Sequence, residues 1–453
     1  MRSWHIIAVV AALSTPKGGP DGLRAQNTNN SPYSAYGFGD LVNTTQVSQA
    51  LMGGIGAAVI DPYSVIHVNP ASYASMVRPT FESGAVVRYV NYSTADASED
   101  QNAFRLLGLT LGVPFGKGRW GMALGLMPVS EVGYTLTERV PLASGEGDVR
   151  FEYAGSGGLN RAFIGAGTSV LQRYDSLGNG HKLSIGANFN YLFGGIEQTR
   201  KAYYPSGLGY YNTSAFNALN ISSPAWNVGV QYLGALTKRR NEEADHWRYI
   251  IGGFAELQAD LEAANTVLVN SFVLGGTGVE FPRDTVAFVD GAGGTVRLPL
   301  AFGFGYTVFN ERWLVSLEYR RRDWNTLRVD VEGYQLPEQL GASVSYALGA
   351  QFRPGGARAK SFWEKTIYRA GLLYQEDYLR VKGQQLGKIG TTFGLSLPLL
   401  NSATRSRFNM GVELGERGTT DDGRIRERYA DIYVGFTITP DIREVWFRKR
   451  RIQ

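Results

Sequence analysis

The chain has 453 residues, of which 57 are glycine and 12% are aromatic, and its formal net charge at pH 7 is +5. It contains no cysteine, which excludes disulfide frameworks, thiolate metal sites and cysteine nucleophiles. Lysine and arginine are scattered over turns instead of clustering on one element, so a nucleic-acid-binding protein is not expected.

The N-terminus has the pattern of an export signal. Arg2 is followed by a short apolar run, Ile6–Leu13, and Ala25 provides a small residue before a cleavage point. The apolar run is too short to cross a membrane as a helix, which needs about 20 residues. We predict a signal peptide over residues 1–25 and a mature protein exported to the bacterial outer membrane.

Residues 26–79 do not have the pattern of strands. They include the stretch GGIGAAVIDPYSVIHVNPASYASM, which starts at Gly53, is rich in small residues and is interrupted by two prolines. Glycine permits close backbone approach and proline fixes turns, so we expect a compact segment of tight turns. A dinucleotide-binding loop is not expected, because no strand precedes these glycines and the third glycine of that motif is missing.

Beyond residue 80 the chain alternates apolar and polar residues. In FNMGVELGE (408–416) and YADIYVGFTI (429–438), for example, every second residue is apolar. These segments are longer than the usual strand of about five or six residues. Long strands with one apolar and one polar face, in an exported chain, favour a closed transmembrane β-barrel.

We place about fourteen antiparallel strands in this barrel, an even number as in bacterial outer-membrane proteins. Their approximate bounds are 80–93, 102–115, 119–137, 147–171, 182–199, 222–237, 247–270, 295–309, 312–325, 338–353, 365–381, 386–399, 405–418 and 426–440. The predicted fold class is therefore all-β, with the barrel over residues 80–440 and a basic C-terminal tail over 441–453. A soluble β-sandwich is the alternative.

A barrel of about fourteen strands leaves a lumen too wide for side chains alone to fill. We therefore place residues 26–79 inside the lumen as an N-terminal hatch. The connections 200–221 and 271–294 are long and carry aromatic residues, so we predict that they are outer loops.

Several short motifs resemble those of the FadL/TodX family of outer-membrane long-chain fatty acid transporters. GGIGAA, followed by NPAS just before FESG, is similar to that family's hatch-to-first-strand signature, and GLMPVSEVGY and YAGSGGLNRAFIG are similar to its early strands. The resemblance implies a fourteen-stranded barrel blocked by its hatch, and transport of long-chain fatty acids or other hydrophobic small molecules. The hatch residues singled out in this way are Gly53, Gly54, Gly56, Asn69, Pro70 and Ala71.

A hydrophobic ligand would need a route out of a polar lumen, and we predict one through the wall. Pro128 in the third strand lacks the N–H that a strand ladder uses. If the following hairpin turns near residue 142, Pro128 lies level with residue 156 of the fourth strand. That strand carries Gly155, Gly157 and Gly158, so the four residues form a candidate lateral opening. Ordinary curvature by bulges is the alternative.

Aromatic residues of the two predicted outer loops form a candidate ligand-binding surface, since exposed aromatic surface often marks a binding site. They are Tyr203, Tyr204, Tyr210, Tyr211, Phe216, Phe272 and Phe281. Their alternative role is in the aromatic girdle at the membrane interface.

We predict neither an enzyme nor a cofactor or metal site. The chain has four histidines, none in an evident catalytic triad context or with metal-ligand spacing. The predicted function is outer-membrane transport of a hydrophobic ligand, past the hatch or through the wall opening. The alternative is a non-catalytic scaffold or accessory barrel in an outer-membrane assembly or secretion complex. The expected partners are the hydrophobic ligand, outer-membrane lipids and lipopolysaccharide, and in the alternative a protein partner.

Overall fold

The fold was analysed in a computed structural model of the chain. The residues that it describes are 31–43, 45–116, 119–143, 145, 147–174, 180–237, 246–276, 278–334, 340–399 and 404–440. The expected signal peptide over residues 1–25 and the basic tail over 441–453 lie outside the described residues. No helix among the described residues is long and apolar enough to cross a membrane.

Strands dominate the described part of the chain. They are β1 (Asp40–Leu41), β2 (Thr80–Ser93), β3 (Ser98–Phe115), β4 (Trp120–Pro141), β5 (Asp148–Tyr174), β6 (Gly180–Tyr203), β7 (Asn212–Ala235), β8 (Arg248–Glu256), β9 (Ala259–Leu274), β10 (Glu280–Leu298), β11 (Ala301–Phe309), β12 (Trp313–Asp323), β13 (Arg328–Val331), β14 (Ala342–Phe352), β15 (Ile367–Val381), β16 (Gln384–Pro398), β17 (Arg407–Arg417) and β18 (Arg426–Ile438). Two short helices, α1 (Val47–Ala50) and α2 (Phe362–Lys365), and 3-10 turns complete the described fold. The 3-10 turns are Pro32–Ala35, Pro70–Ser75, Trp324–Thr326, Gly356–Arg358 and Asp421–Gly423.

The strands form one antiparallel barrel that closes between β18 and β2. Strand β8 continues into β9 after a break at residues 257–258, and β10 continues into β11 after a break at 299–300, so each pair is one wall strand. Strand β1 belongs to the hatch and β13 to the connection after β12. The wall therefore has fourteen strands, which confirms the predicted transmembrane barrel.

The alternation seen in the sequence sets the two faces of the wall. In β17, Met410 and Leu414 are exposed on the outside, while Asn409 and Glu413 are buried against the lumen. Apolar side chains can face lipid without loss, and the barrel pairs the backbone groups that lipid cannot solvate.

The two predicted outer loops are largely strand, so this expectation was wrong. Strands β6 and β7 reach to Tyr203 and Asn212, and β9 and β10 reach to Leu274 and Glu280. Pairs such as Ala202 with Thr213 and Phe281 with Val273 continue the ladder there. Strands β5, β6 and β7 have 27, 24 and 24 residues, whereas β17 and β18 have 11 and 13. A transmembrane strand needs about 9–11 residues, so one side of the wall rises well beyond the bilayer.

The hatch lies inside the barrel on a ring of glycines, which we call the glycine girdle. Each wall strand except β12 contributes one glycine at which an added Cβ would come within 3 Å of a hatch atom. The girdle consists of Gly84, Gly112, Gly121, Gly167, Gly186, Gly229, Gly252, Gly305, Gly349, Gly371, Gly394, Gly411 and Gly435. Many of them are direct cross-strand partners, as in the run Gly121, Gly167, Gly186 and Gly229. The absence of side chains at this level leaves the space in which the hatch backbone sits.

We expect Gly186→Val to displace the hatch. A Cβ at residue 186 would lie 2.4 Å from the carbonyl carbon of Pro70, and both cross-strand neighbours of Gly186 are themselves girdle residues. Overpacking of this kind typically costs about 1–3 kcal/mol. Small-ion conductance of the purified barrel in planar bilayers should rise.

The matched control is Gly387→Val in β16, because a Cβ at residue 387 would meet open space. Conductance of this variant should equal that of the parent. Equal conductance for both variants would show that the girdle does not hold the hatch in place.

Candidate functional site: the hatch and the interrupted wall

The glycine-rich stretch after Gly53 is fastened to β12, the one wall strand without a girdle glycine. Glu318 stands opposite Gly305 in the ladder, and its Oε2 accepts hydrogen bonds from the N–H groups of Gly56 at 2.6 Å and Ala57 at 2.7 Å. Gly53 and Gly54 have φ values of +71° and +79°, which L side chains rarely adopt. The sequence GGIGA thus supplies both the turn and the donors that this carboxylate requires.

The NPAS motif forms a second attachment. Asn69 caps the 3-10 turn Pro70–Ser75 by accepting from the N–H of Ala71 at 3.2 Å. Its Nδ2 also donates to the carbonyl of Ala57 at 2.6 Å and to the wall carbonyls of Val230 and Gly253, both at 3.1 Å. Because Asn69 satisfies both hatch and wall groups, it fixes the hatch at one height in the lumen.

Charged side chains line a cavity of about 250 Å³ in the middle of the lumen. Glu256 pairs with Arg161 at 3.1 Å and also with Arg322, and Glu318 pairs with Arg320. These charges are buried or half-buried, and each takes part in at least one ion pair, which offsets part of the cost of removing it from water. Such a cavity is suited to polar contents and offers little to an acyl chain.

Aromatic side chains close the lumen above this cavity. Phe38 of the hatch packs on Trp324 with a centroid distance of 6.3 Å, and Trp324 packs on Tyr378 at 5.0 Å. Trp324 and Tyr334 belong to the connection after β12, which folds back so that β13 pairs with β10. The apolar cluster joins hatch, connection and wall into an outer seal.

The wall itself is interrupted between β3 and β4. Their ladder runs from Phe115 and Trp120 up to Leu109 and Leu126 and ends there. Above that point the rest of β3 pairs with β2, and β4 continues to Pro141 paired with β5. Both strands change register at this level, β3 opposite Gly84 and β4 between Pro128 and Ser130. We call the space between the diverging strands the β3–β4 gap.

The geometry expected for a lateral opening was wrong in detail. Pro128 pairs with Asn160 and not with residue 156, and the β4–β5 ladder is continuous except for the bulge at Val129. Gly157 and Gly158 adopt φ values of +110° and +142°, and a Cβ at either would lie within 2.2 Å of a wall carbonyl oxygen. A Cβ at Gly155 would meet the Tyr134 ring at 2.2 Å. These glycines allow tight pairing, and the gap is on the opposite edge of β4; their part in a lateral opening stays a prediction.

The candidate aromatic residues differ in their exposure and in the residues that they contact. Tyr203 packs edge-on against the buried Phe272 at 5.6 Å, and Phe216 is half-buried in β7. The rings of Tyr204 and Tyr210 lie 5.4 Å apart in the β6–β7 turn. The exposed members are Tyr210, Tyr211 and Phe281. A ligand-binding role for the set stays a prediction.

The described residues contain no group of three His, Asp or Glu side chains that could hold a metal ion. His67 is buried in the hatch beside Phe163, with ring centroids 5.5 Å apart, and its carbonyl accepts from Asn188 Nδ2. Burial, and then the positive charge of Arg161, lower the pKa of His67 to about 3. His67 is therefore neutral at physiological pH and packs as an aromatic ring.

Sequence reasoning missed Arg417, which joins Asp40 of the hatch at 2.8 Å to Asp377 of β15 at 2.5 Å. Arg417 closes a strand and precedes a turn, a position that ordinarily indicates solvent-exposed charge. Sequence reasoning also missed the glycine girdle, although the sequence contains a pattern that indicates it. Glycine recurs at lumen-facing positions in strand after strand, where a polar side chain is expected.

The fold and this arrangement define a class: a β-barrel plugged by its own N-terminal hatch. The toluene transporter TodX of Pseudomonas putida matches 89% of the chain over 100% of its own length, with 16% identity and a TM-score of 0.54. A FadL homologue of Pseudomonas aeruginosa matches 88% of the chain over 99% of its length, with 13% identity and a TM-score of 0.55. The chain thus shares the fold of these two barrels.

The chain belongs to the BamG family, whose model matches residues 6–453. No curated protein gives a significant sequence match.

The neutral His67 predicts a pH dependence of stability. Between about pH 3 and pH 6.5 the unfolded chain binds a proton at His67 that the folded chain does not, so stability falls as the pH falls through this range. His67→Phe should reduce the loss of thermal stability between pH 7 and pH 4, measured by circular dichroism in detergent. His181→Phe, which replaces an exposed histidine, serves as the control and should keep the parental slope. An unchanged slope in His67→Phe would contradict the assignment.

Proposed function

We propose that the protein is a non-catalytic accessory subunit of an outer-membrane complex that assembles β-barrel proteins, and that its own lumen does not conduct. The observation that carries this proposal is the closure of the lumen at three levels. The girdle holds the hatch, paired charges line a small cavity in the middle, and the Phe38–Trp324–Tyr378 cluster packs across the outer end. Membership of the BamG family supports an accessory role.

The cost of opening such a lumen supports the proposal. A hydrogen bond to a charged group typically contributes about 1.5–3 kcal/mol to stability. Displacing the hatch would break the contacts of Glu318 with Gly56 and Ala57 and the ion pair of Asp40 with Arg417. A stably plugged barrel serves as a scaffold without making the outer membrane leaky.

Affinity purification from native outer membranes tests the proposal. The tagged protein should co-purify in a fixed ratio with the barrel-assembly machinery of the cell. Its depletion should lower the amounts of folded outer-membrane barrels while leaving uptake of toluene and long-chain fatty acids unchanged. Purification as a lone barrel, together with a specific uptake defect, would reject the proposal.

A second candidate is transport of hydrophobic small molecules, such as long-chain fatty acids, in the bacterial outer membrane. The observation that favours it is the β3–β4 gap, because an interrupted ladder offers a lateral route between lumen and bilayer. The similarity in fold to TodX, which is described as a toluene transporter, fits this candidate. Oleate or toluene uptake into proteoliposomes that hold the purified barrel distinguishes the two functions, since only a transporter accelerates uptake.

A further inference from the structure

The arginines that face the lumen differ in whether a carboxylate balances their charge. Every arginine that lines the central cavity takes part in an ion pair, as Arg161 does with Glu256 at 3.1 Å. Below the glycine girdle, three arginines do not: Arg353 after β14, Arg369 of β15 and Arg407 of β17. Among the described residues, no carboxylate lies within ion-pair distance of these guanidinium groups. We call the three residues the lower arginines.

The lower arginines lie at the end of the lumen opposite the outer seal. Strands β11 and β12 are joined by a short turn at this end, as wall strands are on the periplasmic side of outer-membrane barrels. Arg369 is two residues from the girdle residue Gly371, on the same lumen-facing side of β15, and stands opposite Gln351. The lower arginines therefore face the periplasmic end of the lumen.

Arg369 is a buried cation without a counter-charge. Its side chain is only 5% exposed, and its Nη1 donates to the hydroxyl of Ser396. Its Nε has no hydrogen-bond partner among the described residues. Burying a charge costs free energy unless the charge is paired and hydrogen-bonded. An anion at this position would supply what the chain does not.

Arg353 and Arg407 approach the same region. Arg407 is half-buried, and its Nη1 donates to the backbone carbonyls of Lys365 at 3.2 Å and Ser396 at 3.4 Å. The Nε of Arg353 is buried and has no partner among the described residues. The charge of Arg407 is repelled by the charges of both Arg353 and Arg369, so the three guanidinium groups lie close together.

The two carboxylates of this region are bonded to other groups. Glu82 of β2 accepts from the hydroxyl of Ser64 at 3.0 Å and from the N–H of Val65 at 2.7 Å. Asp61 of the hatch accepts from the N–H of Tyr63 at 2.9 Å. Three guanidinium groups against these two carboxylates leave a net positive charge at the periplasmic end of the lumen.

Space for an anion lies beside the lower arginines. A cavity of about 330 Å³ is lined by Arg353 and by Gln351, the cross-strand partner of Arg369. Arg405 is exposed at this end, and its guanidinium carbon lies 5.7 Å from the centroid of the Tyr63 ring. The exposed cation extends the positive charge toward the periplasm, so an anion is attracted into the cavity from that side.

We propose that the lower arginines form a binding site for a phosphate group that enters from the periplasm. A phosphate group carries a charge of about −1.5 to −2 at pH 7 and has three strongly accepting oxygens, so it can bond all three guanidinium groups together. A carboxylate has two oxygens and a single charge, and would leave one guanidinium unpaired. The phosphate belongs either to a free anion or to a lipid headgroup, and the site recognises the same chemistry in both. The site goes beyond the proposed function and does not depend on it.

Isothermal titration calorimetry of the full-length barrel in an uncharged detergent tests the site. The probes are inorganic phosphate and glycerol 3-phosphate, each titrated at constant ionic strength, because salt screens unspecific attraction. We expect saturable binding of one phosphate group per barrel. Binding of both probes would indicate a site for free phosphate, and binding of glycerol 3-phosphate alone would indicate a lipid headgroup. No saturable binding of either probe would overturn the proposal.

Arg369→Gln should weaken the binding of the probe about tenfold or more, as expected for the loss of a charged hydrogen bond. The matched control is Arg119→Gln, which makes the same change of charge at an exposed residue of the β3–β4 turn, at the same end of the barrel. Its affinity should equal that of the parent. An equal loss of affinity in both variants would show that only the overall charge attracts phosphate, and would reject the site.

A second variant keeps the test decisive if Arg369→Gln fails to give the heat-modifiable band of a folded barrel. Arg407→Gln changes a half-buried member of the site and should also weaken binding about tenfold. Urea unfolding gives an independent measurement, because a ligand that binds the folded state raises the unfolding midpoint. Phosphate should raise the midpoint of the parent and of Arg119→Gln, but not that of Arg407→Gln. An equal rise in all three proteins would overturn the proposal.

Discussion

The structure depends on close contact between the backbone of the hatch and the level of the barrel wall at which the strands have glycine in place of larger residues. A ring of glycines creates this contact, and its position fixes everything else in the lumen. With the Pro70 turn against Gly186 and the Gly53 turn against Gly371, the amide donors reach Glu318 and Asn69 reaches its wall carbonyls. A bulkier wall would move each of these groups out of hydrogen-bonding distance, since packed interiors do not absorb extra atoms freely.

Polar bonding, more than apolar burial, gives the hatch its unique position. An apolar plug in a smooth lumen could slide or rotate, whereas a carboxylate that bonds two successive amides accepts one geometry. The apolar cluster around Trp324 adds closure at the outer end, where the hatch meets the connection after β12. The polar contacts thus position the hatch, and the apolar contacts pack it against the connection after β12.

Much of the fold could be predicted from local pattern, because alternation in β17 or β18 is set by the few residues on either side. The hatch could also be predicted from the sequence, because its glycines and prolines cannot continue a strand. The register between strands could not be predicted from the sequence. Pro128 pairs with Asn160 because the turn lies later than the pattern indicated and because a bulge intervenes. Ion pairs such as Asp40–Arg417 join positions 377 residues apart, and no local signal encodes them. The predicted loops became strands because alternation alone does not reveal where the bilayer ends.

The wall is taller on one side of the barrel than on the other, because β5, β6 and β7 are longer than β17 and β18. The tall side begins at β4, and β4 is also the strand whose upper edge has lost its neighbour. The projecting β4–β5 hairpin therefore has one edge paired with β6 and the other edge paired with hatch residues. Strand β6 pairs with the hairpin from Arg150 downward, whereas the hatch strand β1 pairs with only two residues of β4. The upper edge of the tall wall and the position of the hatch are in this way connected through a single strand.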